Sequence, residues 1–467
     1  MALAGAILDQ LLRGLRMEAV FKKIKFDVKQ VMQEELPMTE FLYNSNAQLS
    51  ADLHEYLEFP TQNKNEMPFY SLKASSANNL ARTYQGAYNM LIDALAKLFK
   101  EDDEVIKYFF GAEFLTKHPE FLNYAKHTFK QKHPALYGRF DSAMDPKTDK
   151  VTALYEFNGD TPVMLFESVL LENRFINEIT GSGEAQFNEY YLDLEAFVSQ
   201  MRVRQNFAVL CDTNYIEDTA TCETFAQIFK EKGFCFFEDI ESLSYDGYEA
   251  RHNGGSPFFI GEDAVSDMFL LMPWEELVEL RPEIFAKWRD WTDYVNFYEP
   301  AWRWFMANKG IWAYITHIFE NHNEEHAEFR STYAHLPVMR SYMAPDKFIK
   351  EGIKYVAKPI IGRLSMNIRI IDPKDGVEFQ SEGGYGETQC IYQQFSQPHQ
   401  VEGRNNFIAC CWMAPVVDDH GSTKTLNSVA TTFCIREFDK PVLDIKNERF
   451  IPHIIDFDEE MTIKLKK

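Results

Sequence analysis

The chain has 467 residues with 71 acidic and 48 basic side chains, a formal charge of −23, and 45% hydrophobic and 15% aromatic content. That length exceeds one simple core and predicts roughly two or three domains. The acidic balance argues against a nucleic-acid binder, which needs a basic face for phosphates; it is compatible with a cationic partner such as a polyamine, or with a plain acidic surface.

In chain order, the first segment is MALAGAILDQLLRGLR, which lacks a basic leader and is interrupted by Asp9. It reads as a short amphipathic helix, not a signal peptide. Residues 1–130 read as mainly helical. NNLARTYQGAYNMLIDALAKLFK repeats apolar residues at helical spacing, and HPEFLNYAKHTFKQKHP is a second helix that stops at Pro134. Two short extended segments follow, LYGRFDSAM and VTALYEFN, separated by the turn-forming DPKTDK. FAVLCD, EDTATCETFAQIFKEKG and FCFFEDI then read as strand, helix and strand, a βαβ-like unit. Residues 265–335 read as helical and hold Trp274, Trp288, Trp291, Trp302, Trp304 and Trp312. From Lys354 the chain returns to strands: KYVAKPI, MNIRIID, QCIYQQFS, FIACCWMAPVV and SVATTFCIREF. Cys211, Cys222, Cys235, Cys390, Cys410, Cys411 and Cys434 form no CxxC pair, which indicates reduced, mostly buried thiols of a cytoplasmic protein. No apolar run approaches the roughly 20 residues of a membrane span.

The segment YEFNGDTP carries the first chemistry. If it is extended, Glu156, Asn158 and Asp160 share one face, while Tyr155 and Phe157 turn toward a core. Such a row is either an ordinary solvated face or half of a metal site. A hairpin closed by Lys147–Lys150 sets Asp141 opposite Glu156 and Arg139 opposite Asn158. Facing carboxylates destabilise a sheet unless something positive lies between them. Two acids and an amide oxygen suit Mg²⁺, and Arg139 beside them suits a phosphoryl group. Lys358 closes a strand ahead of Pro359, as a phosphate ligand or a surface lysine. Arg436 lies in an apolar strand and must meet an anion, a ligand or an internal acid. Glu217 and Asp218 begin a helix, where they either favour its N-terminus or bind an ammonium group.

GRFD, YEFNGDTP, EPAWRWFMANKGIW, YVAKPIIGR and IYQQF occur in the order found in glutathionylspermidine synthetase. From about residue 130 to 445 the chain resembles the synthetase region of that family, within the ATP-grasp superfamily, with nothing matching the upstream amidase domain of some members. The resemblance implies an α+β, ATP-grasp fold with a helical N-terminal region (1–130), a metal-binding hairpin (131–170), an inserted α/β substrate region (171–299) and a nucleotide-binding lobe with C-terminal strands (300–467). It implies an ATP-dependent carboxylate–amine ligase that forms an amide through an acyl phosphate, joining glutathione or a similar peptide to spermidine or a similar amine.

By position, Asp141, Glu156 and Asn158 match the ligands of Mg²⁺, expected as two ions. Lys309 and Lys358 match the nucleotide-binding lysines, and Gln393, Gln394 and Phe395 the adenine-side hinge. Arg139 matches the arginine at the transferring phosphoryl group, and Arg436 a further arginine of the site. Thr161, Arg363 and the Glu217–Asp218 pair match positions that handle the acid and the amine. Three departures stand out. Val163 replaces the second of two hydroxyl residues after the first motif, GRLSMN has Leu364 and Ser365 where the family is rich in glycine, and LLMPWEE lacks the family's threonine. They motivate two alternatives: a ligase with a different acid or amine, or a non-catalytic nucleotide-binding or interaction protein on this scaffold. Neither a membrane nor a nucleic acid is an expected partner.

Overall fold

The computed structural model describes residues 17–22, 27–58, 67–181, 185–233, 235–248, 255–386, 388–443 and 448–456, and the helix expected over residues 1–16 lies outside them. Helices and four sheets alternate along the described residues. No helix among the described residues is long and apolar enough to cross a membrane.

Two strands, Glu18–Lys22 and Met67–Lys73, interrupt the expected helical start, and the second pairs in parallel with His453–Asp456 from the far end of the chain. Helix Pro37–Ser45 opens on a proline, where no donor is needed, and the buried carboxylate of Glu223 accepts the N–H groups of Met38 (2.9 Å) and Thr39 (2.7 Å) that the first turn leaves unpaired. The 25-residue helix Ala74–Leu98 buries Leu80, Tyr84, Ala87, Tyr88, Leu91, Ala94, Leu95 and Leu98, the stripe its sequence spacing predicts. This stripe packs on the back of a six-stranded antiparallel sheet. Tyr84 Oη and Ser142 Oγ lie 2.7 Å apart, and the Tyr88 hydroxyl donates to the Leu426 carbonyl at 2.9 Å.

That sheet runs in the order Arg449–Ile451, Ser428–Phe438, Asn406–Pro415, Arg139–Asp145, Lys150–Asn158, with His399–Gln400 also on Asn406–Pro415. The hairpin departs from the regular ladder the sequence predicts. Its loop is Pro146–Asp149, because Asp145 accepts the Lys147 N–H (2.9 Å) and the Thr148 hydroxyl (3.0 Å) and closes the turn one residue early. Two irregularities follow, with Thr152 and Tyr155 as extra residues on the second strand. Together they restore the expected pairing where it matters: Asp141 faces Glu156 and Arg139 faces Asn158. The bulge at Tyr155 re-aims that side chain. It lines the central cleft and its hydroxyl donates to the Ser396 carbonyl at 3.0 Å, whereas Phe157 is buried as expected. Asp160 also leaves the predicted row, because the strand ends at Asn158.

The βαβ unit forms, with Asn206–Cys211 parallel to Cys235–Asp239 and helix Ile216–Phe229 between them. Its third parallel strand is Asp263–Leu271, inside a region expected to be helical. That strand is almost continuously buried, so its sequence has no alternation to reveal it. A five-stranded antiparallel sheet carries the second half of the chain, ordered Ser341–Tyr342, Cys390–Gln394, Tyr355–Pro359, Arg369–Asp372, Gly376–Gln380.

One fully buried cation joins these layers. Arg303 donates through Nε to the Gly159 carbonyl (2.9 Å), through Nη1 to the Tyr88 hydroxyl (3.2 Å) and through Nη2 to the Tyr137 carbonyl. Its guanidinium lies 4.8 Å from the Phe157 ring centroid, and Glu299 Oε2 is 3.1 Å from Nε. Glu299 accepts the N–H groups of Leu136 (2.7 Å) and Tyr137 (3.0 Å). Gly138 leaves room for the guanidinium, since a Cβ there would lie 2.1 Å from Arg303 Nη2. Removing a buried cation so engaged costs about 3–5 kcal/mol. Arg303→Met is therefore expected to lower stability by about that much in urea unfolding, and Gly138→Ala by about 1–3 kcal/mol through overpacking. A loss under about 1 kcal/mol for Arg303→Met would mean that the arginine is not a strut.

Candidate active site

A cleft of about 830 Å³ lies between the six-stranded and five-stranded sheets, within the range of small-molecule sites. The first sheet contributes Arg139, Asp141, Glu156, Asn158, Ile408 and Arg436; the second contributes Val356, Lys358, Ile370, Gln393 and Gln394. Thr161, Glu217, Asp218, Lys309, Arg363 and Phe395 also line it, so every site residue expected from the sequence opens on one cavity.

At its centre Asp141 accepts from Arg139 Nε (2.8 Å) and Nη2 (3.2 Å), from Asn158 Nδ2 (3.2 Å) and from Arg436 Nη1 (3.3 Å). Arg139 Nη1 donates to the Val163 carbonyl at 2.7 Å. Glu156 Oε2 is 3.2 Å from Lys309 Nζ, which also donates to the Gly362 carbonyl at 2.7 Å. Lys358 Nζ donates to Gln393 Oε1 at 2.8 Å. Burial works against ionisation of both carboxylates. Arg139 and Arg436 nevertheless hold Asp141 below its ordinary range, and Lys309 and Lys358 do the same for Glu156. Burial, with Lys309 nearby, pushes Lys358 down to about 8 despite Glu156 and Asp141.

Arg436 does meet an internal acid, as its apolar strand required. Its Nη2 donates to Glu448 Oε2 at 2.8 Å, and its Nε to the other oxygen. Glu448 carried no sequence signal: it sits in a carboxy-terminal stretch with no recognisable motif and reaches the site only through the fold. The cluster thus sets four cations, Arg139, Lys309, Lys358 and Arg436, against three carboxylates, Asp141, Glu156 and Glu448. It is net positive and suited to a polyphosphate.

No group of three or more His, Cys, Asp or Glu side chains among the described residues is arranged to hold a metal by itself. Asp141, Glu156 and the Asn158 carbonyl are hard oxygen donors, two of them kept ionised. They fit Mg²⁺ if phosphate oxygens complete its shell.

The Gln393–Phe395 stretch lines the cleft together with the apolar Val356, Ile370 and Met339. Gln393 is 1% exposed, and its Nε2 has no hydrogen-bond partner among the described residues. Phe395 lies against Lys354, whose Nζ is 4.9 Å from the ring centroid. At another edge, Glu217 and Asp218 occupy the first turn of helix Ile216–Phe229. Burial, then neighbouring Glu448, raises Glu217; burial, then Glu217 and Asp212, raises Asp218 to about 7.

Arg363 follows Gly362 at the exit of the lysine strand. Its Nε donates to Thr161 Oγ1 (3.2 Å), its Nη2 to Asp160 Oδ2 (2.8 Å) and its Nη1 to Glu275. Glu275 lies in the LLMPWEE segment, where the sequence signalled a departure and not a partner. Beyond Arg363, Leu364, Ser365 and Asn367 adopt left-handed φ values of 54°, 54° and 56°. The backbone therefore follows a path natural to glycine while carrying side chains. A neighbouring loop pins it: Ser381 Oγ donates to the Ser365 carbonyl (2.6 Å), and Asn367 Oδ1 accepts the Tyr385 N–H (2.7 Å). Gly383 permits the contact, since a Cβ there would lie 2.4 Å from Met366 Cβ.

Comparison with known proteins finds relatives that are named as ligases. A putative acid–amine ligase of Haemophilus influenzae is 25% identical over 339 residues, covering 70% of this chain and 76% of that protein. Trypanothione synthetase of Crithidia fasciculata is 25% identical over 339 residues, covering 68% and 48%. The bifunctional glutathionylspermidine synthetase/amidase of Escherichia coli is 22% identical over 431 residues, covering 88% and 62%. The chain thus spans less than two thirds of the last two proteins. Among solved structures, a glutathione synthetase-like effector of Globodera pallida aligns over 80% of this chain and 88% of its own, with 10% identity and a TM-score of 0.42. The family profile of the glutathionylspermidine synthase preATP-grasp region matches residues 27–456, nearly the whole described chain, and the protein belongs to that family.

Proposed function

We propose that the protein is an ATP- and Mg²⁺-dependent ligase that joins a peptide-like acid to a cationic amine, as a glutathionylspermidine synthetase does. The observation that carries this reading is the net-positive cluster of four cations and three carboxylates, at the heart of a cleft lined also by the apolar Val356, Ile370 and Met339. Phosphoryl transfer needs positioning and charge neutralisation more than a covalent catalyst, and this cluster supplies both.

Lys309 and Lys358 hold the nucleotide phosphates, and Gln393, Gln394 and Phe395 border the base. The acid's carboxylate takes the γ-phosphoryl group and ADP departs. Arg139 and Arg436 bear on the charge that builds up in transit. The neutral amine nitrogen then attacks the acyl carbon, the carbon–oxygen bond to phosphate breaks, and the proton lost from nitrogen leaves with the phosphate as the amide forms. Mg²⁺, when held by Asp141, Glu156 and Asn158 together with phosphate oxygens, neutralises phosphate charge. Thr161 and Arg363 stand on the acid side, and Glu217 and Asp218 receive the cationic amine.

A second reading keeps this mechanism and changes the acid. Val163 favours it, since it offers no hydroxyl where the family pattern has one. The non-catalytic alternative rests on the GRLSMN loop, where Leu364 and Ser365 hold left-handed φ values of 54° that glycine adopts more readily.

With Mg²⁺-ATP and a matched acid and amine, ADP release is expected to be stimulated. Asp141→Ala and Glu156→Ala should each lower kcat by about 100-fold or more while the circular dichroism spectrum is unchanged. Near-normal turnover by either variant would remove the metal assignment. Because Asp218 gains its proton near pH 7, amine affinity should rise severalfold between about pH 6 and 8 as the carboxylate ionises. A calorimetric titration flat across that range would disconnect the pair from the amine. In the nucleotide-free protein, NMR of dimethylated lysines should show one resonance titrating at about 8 that disappears in Lys358→Met. A Lys358 midpoint above about 10 would mean that burial does not perturb it.

A further inference from the structure

We propose that Glu275 sets acid specificity, and that the preferred acid carries an ammonium group on its tail and no second free carboxylate. The inference rests on the ligase reading above and narrows its substrate.

Arg363 is the cation that meets Asp160 and Glu275, and its donor fork is already engaged by the protein; Lys309, at the neighbouring Gly362 carbonyl, is paired with Glu156. Nε serves Thr161 Oγ1, Nη2 serves Asp160 Oδ2 and Nη1 serves Glu275 Oε1. A guanidinium recognises a carboxylate best through two parallel N–H donors. Here an incoming carboxylate would have to displace one that is already seated. Neither seated carboxylate is free to leave. Trp304 Nε1 donates to Glu275 Oε2 at 2.9 Å and fixes it from the far side. Asp160 is 6% exposed, and its Oδ1 accepts the Thr161 N–H at 2.9 Å. Displacing either would strand a largely buried anion.

Glu276, the next residue of helix Trp274–Leu280, adds a third carboxylate to the cleft lining. Three carboxylates then face one guanidinium. The region is net negative, its remaining lone pairs are acceptors, and an ammonium group satisfies it where a carboxylate is repelled. Glutathione has two carboxylates, and only one can react. In the proposed placement the tail of the acid lies at Arg363, and the second carboxylate of glutathione meets this region.

The test compares glutathione with 4-aminobutyryl-cysteinyl-glycine, which keeps the terminal ammonium and lacks only the second carboxylate. In the wild-type protein, kcat/KM for the aminobutyryl peptide should exceed that for glutathione by about tenfold or more. Glu275→Gln keeps an acceptor for Trp304 and removes the charge, so the ratio should collapse toward one, with glutathione use rising. Glu276→Gln, at an exposed position, should move the ratio the same way by a smaller factor. A wild-type preference for glutathione would overturn the inference, and so would equal losses for both peptides in Glu275→Gln.

Calorimetric binding of both peptides, in the presence of Mg²⁺ and a non-hydrolysable ATP analogue, separates this claim from the ligase reading. If neither peptide supports turnover, ligation of these acids fails. A binding preference for the aminobutyryl peptide that disappears in Glu275→Gln still upholds the specificity. No binding of either peptide, or a preference that the variant keeps, refutes it.

Discussion

The architecture depends on what Arg303 holds. A guanidinium removed from water is unstable unless each edge finds an acceptor, and this one gathers its acceptors from separated parts of the chain. The Tyr137 carbonyl enters the hairpin, the Gly159 carbonyl leaves it, and the Tyr88 hydroxyl comes from the long amino-terminal helix. The start of one strand and the end of its partner are thereby fixed to the same atom group. The side chains between them, Asp141, Glu156 and Asn158, inherit that rigidity. Ionisable groups that must act together at angstrom precision are better carried on strands tied at both ends than on loops.

Electrostatics divides the cleft into regions of opposite character. Around Asp141 the cations exceed the anions; around Glu217 and Asp218, and again around Arg363, the carboxylates exceed the cations. One cavity thus presents a positive floor and negative margins, the division that the proposed ligase would use for phosphate and for ammonium groups. The net charge of the chain gives no hint of this, because −23 is a sum over the whole molecule. The fold brings together the few cations that matter.

Much of this was legible in the sequence where local pattern and tertiary structure agree. The long helix followed from its apolar spacing, and the βαβ unit from its alternation of strand and helix. The facing of Asp141 and Glu156 was also foreseen, though through a regular ladder, whereas the real hairpin reaches it by an early turn that two bulges together offset. What was hidden depended on burial or distance. Asp263–Leu271 reads as a helix because both of its faces are covered and no alternation survives. Glu448 is invisible because its partner Arg436 lies on another strand. Glu275 was present in a segment that differed from the family pattern, but its role required knowing where Arg363 points.

The loop after Arg363 has a further consequence. Its left-handed residues are locked by Ser381, Tyr385 and the bare backbone of Gly383, before any ligand arrives. A glycine-rich loop has many conformations to lose when it closes on a phosphate, and that loss weakens binding. This loop met its ordering cost when the chain folded. Binding to a loop ordered in advance carries a smaller entropic penalty than binding that has to order it.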